Sequence, residues 1–209
     1  MYTPEHFKEK NINEIKKILN TFPLATIVTS GNQGFSANHI PFICEFNLDG
    51  TQTILGHIAR QNEIFQETTN GSQVLVVFKA EDSYISPNWY PTNKTAHEVV
   101  PTWNYQAVHF HGKISFFEDK KSLLSILGKL TKVHEKKIGE NEPWKIKDAP
   151  KDYMGKKLSG IVGIKIDVTR CEAKSKLNQN KEDIDFVSVK KKMLQLKKEI
   201  LYSAMNKIK

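Results

Sequence analysis

Three places in this 209-residue chain gather side chains that could do chemistry. The densest is Tyr84–Gly112, YISPNWYPTNKTAHEVVPTWNYQAVHFHG, with three Pro, two Trp, three Tyr and three His. An exposed ring forfeits burial worth roughly 25 cal/mol per Å² of apolar area, so surface loops seldom concentrate rings this way. A stiff, aromatic, hydrogen-bonding segment feeding a strand suits the wall of a site for a flat, partly polar ligand. Trp and Tyr also favour subunit interfaces, and the residues leave both readings open. Within the segment, His109 and His111 are two apart on a predicted strand and project from one face. With His97 or Glu98 they could ligate a metal. No second ligand pair accompanies them, so we expect ordinary strand histidines and no metal.

The second place is Gly56–Gln66, GHIARQNEIFQ. Arg60 falls just before a predicted helix N-cap at Asn62, and a guanidinium beside free helix N–H groups suits a phosphate or carboxylate. A surface Arg without a ligand is the plain alternative. The third is Ala173–Lys181, AKSKLNQNK, with three Lys and an Asn-Gln-Asn run. Amides offer donors and acceptors together, which suits the edge of a heterocycle, and a polar connector would look the same. No GxGxxG, GxxxxGK[ST] or G-x-S-x-G is present, so dinucleotide, nucleoside-triphosphate and serine-hydrolase chemistry lack their usual marks.

The elements that must position these residues are strand-dominated. Residues 11–20 predict a short amphipathic helix, capped by Asn11 with Glu14 three residues on, and ended by Phe22-Pro23. Strands are predicted at 24–30, 35–46 and 51–57, joined by tight turns as a meander. A short helix over 62–69, a strand at 73–79 and a long strand at 105–117 follow. Asp119 predicts the cap of a helix running to Gly139. Residues 140–157 read as a Pro-punctuated loop, and 161–169 as an alternating strand. From Ile184 to Ile208 one apolar stripe opposite a Lys-rich face predicts a single helix. Short connections with late helices favour an antiparallel barrel over a doubly wound sheet.

The formal net charge of +8 would suggest nucleic acid if it were spread over the chain. Residues 190–209 hold seven Lys and one acid, so most of the excess sits on the last twenty residues. Only that tail is left as a phosphate-contacting element, and a solvated helix face explains it as well. No run of about 18 apolar residues occurs, so no membrane span is expected. The start lacks a signal-peptide core, and Cys44 and Cys171 form no CxxC. A cytoplasmic protein with reduced thiols is the expectation.

The segments ANHIPF (37–42), GHIARQN (56–62), YISPNWYP (84–91), VPTWNYQAVHFHG (100–112), EPWKIKDAP (142–150) and KLNQN (176–180) together resemble the PaiB-type family. Its members are described as FMN-binding negative transcriptional regulators, and the resemblance runs from Met1 to about residue 200. It implies a mainly β fold with peripheral helices, an antiparallel split β-barrel of the pyridoxamine-phosphate-oxidase-like superfamily. Residues 1–180 would form the flavin-binding domain, and 181–209 a C-terminal Lys-rich helix packed on or beside it. The resemblance implies a homodimer with FMN between subunits. Arg60 and Asn62 would hold the phosphate, and Asn38, His39 and His57 would face the ribityl chain and ring. Trp103, Asn104 and Tyr105 would supply wall and partner contacts. Lys176, Gln179 and Asn180 would approach the ring edge or phosphate. One departure stands out: the family tail motif reads KLSQNR where this chain has KLNQNK. Lys181 keeps the charge but loses the bidentate fork of Arg.

Three functions follow. The first is an FMN-binding dimer with a role in transcription control. The second is an FMN-dependent oxidoreductase acting on a small substrate, with the protein tuning the flavin. The third is a DNA-contacting module using the final helix, although no helix-turn-helix is recognisable.

Overall fold

The structure, a computed structural model, describes residues 1–31, 34–93 and 99–208. His97 and Glu98, named above as possible metal ligands, lie outside them. The strands are β1 (Leu24–Gly31), β2 (Gly34–Pro41), β3 (Ile43–Phe46), β4 (Gln52–Ala59), β5 (Gln73–Ile85), β6 (Thr102–Phe117) and β7 (Ile161–Lys176). The helices are α1 (Ile12–Thr21), α2 (Glu63–Glu67), α3 (Lys120–Ile138), α4 (Lys151–Ser159), α5 (Asp183–Gln195) and α6 (Glu199–Met205). Single 3₁₀ turns lie at Glu5–Phe7, Pro87–Trp89 and Ile146–Asp148.

All seven strands join one sheet in the order β2-β1-β5-β6-β7-β4-β3. The expected meander is therefore corrected: β1–β2 and β3–β4 are two antiparallel hairpins at opposite ends of the strand order. The run predicted as one strand over 35–46 breaks at Phe42, which is only 3% exposed. The Phe42 N–H donates to the Pro23 carbonyl at 2.9 Å. Its ring lies over Gly56 of β4, where an added Cβ would come within 2.7 Å of it. Only glycine admits that contact, so the aromatic and the glycine together end one hairpin and seat the next.

Two further expectations are corrected. Residues 151–157 of the expected 140–157 loop belong to α4, whose N-cap is Pro150, where a missing N–H costs nothing. The apolar stripe from 184 to 208 is two helices. Lys197 adopts a left-handed φ of 57°. The Lys198 and Lys197 N–H groups then bond back to the Met193 and Leu194 carbonyls at 2.8 and 3.0 Å. That pairing is a Schellman stop, built here without the usual glycine. Strands β5 and β7 outrun their predicted ends because polar side chains there find partners. In β7, Glu172 receives the N-terminal ammonium at 2.9 Å and Ser175 donates to Glu9 at 2.7 Å.

Contacts divide the chain into two compact units, Met1–Phe22 with Phe78–His109 and Glu172–Lys209, and Pro23–Val77 with Phe110–Cys171. In the first, α5 and α6 bury Phe186, Val189, Met193, Leu201 and Met205 with Ile85, Tyr90 and Leu177. In the second, α3 seats Ile126 and Leu130 on Leu55 of β4. As the sequence predicts, α3 is capped by Asp119, which accepts from the Ser122 N–H at 2.9 Å. It is ended by Gly139 at φ 77°. No helix among the described residues is long and apolar enough to cross a membrane. Cys44 and Cys171 form no disulfide, and burial, with Cys171 nearby, pushes Cys44 up to about 12.

Candidate functional site

The sequence-predicted site residues fall into both units, five in the second and six in the first. In the second, β4 delivers His57 and runs into the turn that carries Arg60. Asn62 caps α2 as predicted, accepting from the Ile64 N–H at 2.9 Å. Its amide also donates to Asn38 of β2 at 3.2 Å, so the phosphate-type and ribityl-type residues do meet. Asn38 and His39 are strand neighbours and face opposite ways: Asn38 is half-buried beside Asn62, whereas His39 is exposed. Arg60 is already engaged. Its Nε donates to the Ser159 carbonyl at 2.9 Å and its Nη1 pairs with Glu118. Glu118, 58 residues away, left no sequence signal.

An ion pair with side chains 39% and 51% exposed is worth about 0–1 kcal/mol. A phosphate at the same guanidinium would displace Glu118 at little cost. His57 is the more telling member. Its Nδ1 is buried without a hydrogen-bond partner among the described residues, and burial lowers its pKa. A buried polar atom left unpaired costs about 1–3 kcal/mol, so it is rarely tolerated without a role.

In the first unit, β6 carries Trp103, Asn104 and Tyr105 in succession, and strand alternation divides them. Trp103 is 52% exposed and meets Tyr84 edge-on at 5.9 Å. Tyr105 lies under the Lys174 ammonium at 5.2 Å. Asn104 faces the other way and is fully buried, with neither its Oδ1 nor its Nδ2 hydrogen-bonded among the described residues. The three therefore do not form one wall. Gln106, two residues on and on the same face as Asn104, donates to Ser175 at 2.9 Å.

The tail segment is equally split. Lys176 donates to Thr102, and burial lowers its pKa. Gln179 is consumed by its own turn, accepting from the Leu177 N–H at 2.8 Å and donating to the Ser175 carbonyl at 2.6 Å. Asn180 is exposed and carries no partner among the described residues. The departure at 178 has a structural cause: Asn178 sits at φ 63° and donates to the Tyr90 hydroxyl at 2.9 Å. Asn tolerates the left-handed region better than Ser would. Lys181 stacks over the same Tyr90 ring at 5.2 Å. Among the described residues no three His, Cys, Asp or Glu cluster as a metal site. His111 instead meets Arg170 at 3.0 Å.

Within the second unit, a guanidinium with a replaceable surface partner, amides at Asn38 and Asn62, and the orphaned Nδ1 of His57 suit a ligand with an anionic end and hydroxyls. FMN has that chemistry. Solved structures agree on the fold. The chain aligns with a conserved hypothetical protein of Mycobacterium tuberculosis at a TM-score of 0.58 and 12% identity, covering 87% of this chain and 94% of that one. It aligns with the FAD and haem binding protein of Mycobacterium smegmatis at 0.57 and 14%, covering 81% and 73%. The fold is an antiparallel split barrel with added helices. Residues 1–170 match the family described as "Putative FMN-binding domain". The Bacillus subtilis protein named protease synthase and sporulation protein PAI 2 is 37% identical over 190 residues, 90% of this chain and 87% of its own. A Saccharomyces cerevisiae protein is 35% identical over 162 residues, 68% of this chain and 95% of its own. The chain belongs to the PaiB-type FMN-binding family, and its cofactor is FMN.

Proposed function

We propose that the protein is a cytoplasmic, homodimeric FMN-binding regulator in which Arg60 and Asn62 receive the phosphate. Asn38 and His57 hydrogen-bond the ribityl chain, with His39 at the exposed margin. Asn104 meets a polar edge of the ring, Trp103 and Tyr105 serve the dimer seam, and Lys176, Gln179 and Asn180 line the approach. Residues 1–180 act as the flavin-binding domain and 181–209 as its C-terminal addition. Bound FMN supplies one- or two-electron redox chemistry. The observation that carries the reading is that polar atoms stay buried without a partner among the described residues, the Nδ1 of His57 in the second unit and the amide of Asn104 in the first. The exposed Tyr84–Trp103 pair supports a subunit interface.

A regulatory role rests on the B. subtilis relative, named for protease synthesis and sporulation. Direct DNA contact by the tail has less support, because several of its lysines are tied internally: Lys190 over Phe186, Lys192 to Gln195, Lys198 to Glu81 and Lys207 to Glu14.

Visible absorption during titration tests the cofactor site. Arg60→Ala should weaken FMN by about ten- to hundredfold, the range for a charge-assisted hydrogen bond, and leave riboflavin unchanged. Equal losses for both ligands would remove Arg60 from the phosphate. Dilution to monomer should release the flavin. A gel shift at low salt that moves duplex DNA would restore the DNA reading. Flavin reduction by NAD(P)H with turnover on a small acceptor would make the protein an oxidoreductase instead.

A further inference from the structure

The EPWKIKDAP segment plays no part in the flavin site assigned above, yet it builds a well-formed cavity in the second unit. This space of about 700 Å³ lies between the C-terminal half of α3 and residues 139–146. Its lining includes Gly128, Lys132, Lys136, Trp144, Lys145 and Ile146, and its surface is mostly apolar. Local bonds hold its wall in place. Gly139 ends α3 in the left-handed region and turns the chain back. The Trp144 N–H donates to Glu135 at 2.9 Å, and the Lys145 N–H to Asp148 at 2.8 Å. The segment is thus pinned to the helix through its main chain, which leaves the Trp144 side chain 46% exposed.

An indole left half-exposed in a concave, apolar space forfeits burial that a planar guest would restore. The volume lies within the roughly 300–1,000 Å³ usual for small-molecule sites. The charges select the guest further. Lys132, Lys136 and Lys145 pair with no carboxylate among the described residues, and of the two acids in the lining Glu135 is spent on Trp144. We propose that this cavity is a second ligand site, distinct from the FMN residues, that takes a planar aromatic anion, with Trp144 against the ring and the three lysines toward the anionic group.

The test uses FMN-loaded protein, 2-naphthoate as the probe and neutral 2-naphthamide as its isostere, read by amide chemical-shift mapping and calorimetry. The expected result is saturable binding with shifts confined to residues 128–146 and the flavin absorption unchanged. The acid should bind about fivefold tighter than the amide, a contrast that vanishes when all three lysines are changed to Gln. Gly128→Leu is the decisive variant. A Cβ at 128 would meet only the Ile146 Cδ1, at 4.0 Å, so Leu projects into the cavity without a clash. Leu is also the better helix former, so binding should disappear while the melting temperature holds or rises. Trp144→Ala should weaken 2-naphthoate by about tenfold. Shifts elsewhere, displacement of FMN, equal affinity for acid and amide, binding retained in Gly128→Leu, undiminished binding in Trp144→Ala, or no saturable binding at millimolar probe would each overturn the proposal.

Discussion

Replacing Asn104 with Leu separates a ligand-directed residue from a structural one, because the two roles predict opposite signs. Asn104 is fully buried on β6, and both polar atoms of its amide lack partners among the described residues. Each unpaired buried group costs about 1–3 kcal/mol. Leu has similar volume and removes both groups at once, at a misfit cost of roughly 1.5 kcal/mol or less. With both groups relieved and the misfit set against them, the flavin-free protein should gain about 0.5–6 kcal/mol. For a chain of this length that is roughly 1–24 °C in melting temperature. Loaded protein should behave the other way. Losing two ligand hydrogen bonds of about 0.5–1.5 kcal/mol each weakens FMN by about five- to 150-fold.

Differential scanning fluorimetry of the flavin-free protein and calorimetric titration with FMN read the two halves separately. A lower melting temperature with unchanged FMN affinity would refute the reasoning, since the amide would then serve the protein's own interior. A gain in stability at the expense of binding is the signature of a site that keeps unsatisfied groups for its ligand.

Two other predictions concern the second unit. His57 is held neutral by burial, its pKa below the ordinary value of about 6.5. As pH falls below that value the unfolded chain takes up a proton that the native imidazole declines, so stability drops. The slope is at most about 1.4 kcal/mol per pH unit and is reduced by the group's partial exposure. His57→Gln should flatten urea midpoints between pH 6.5 and 5, and an unchanged profile would clear His57 of any part in it. Gly56→Ala should cost about 1–3 kcal/mol, because its Cβ would sit 2.7 Å from the Phe42 ring. Adding Phe42→Leu should recover part of that loss, a coupling that calorimetric unfolding of the double mutant would reveal.

Those elements whose stops and periods are local were legible in the sequence. Asp119 and Gly139 bound α3 because a carboxylate cap and a left-handed glycine act within one turn. The order of strands was not legible, because the contact that redirects the chain joins Phe42 to Gly56, and a glycine in a strand does not name the ring it admits. The late stretch of β7 was hidden because its charges looked like loop, whereas Glu172 and Ser175 are paired by Met1 and Glu9, more than 160 residues away. At the site, residue types were readable and their directions were not. Glu118 on Arg60, and the two main-chain bonds that consume Gln179, appear only in three dimensions.

The aromatic segment from Tyr84 to Gly112 left ligand wall and interface open as rivals, and strand alternation gives each reading its own face of β6. Trp103 and Tyr105 face one side of β6, where Trp103 and Tyr84 expose an aromatic edge suited to a second protein surface. Asn104 faces the other side with an amide that nothing among the described residues satisfies. One strand can therefore offer a partner surface and a ligand contact through adjacent residues. Dimerisation and flavin binding should then be separable by mutation: Trp103→Ala should loosen the dimer first, and Asn104→Leu the flavin first. If both substitutions moved subunit affinity and flavin affinity in equal proportion, β6 would be serving a single undivided surface and the alternation argument would fail.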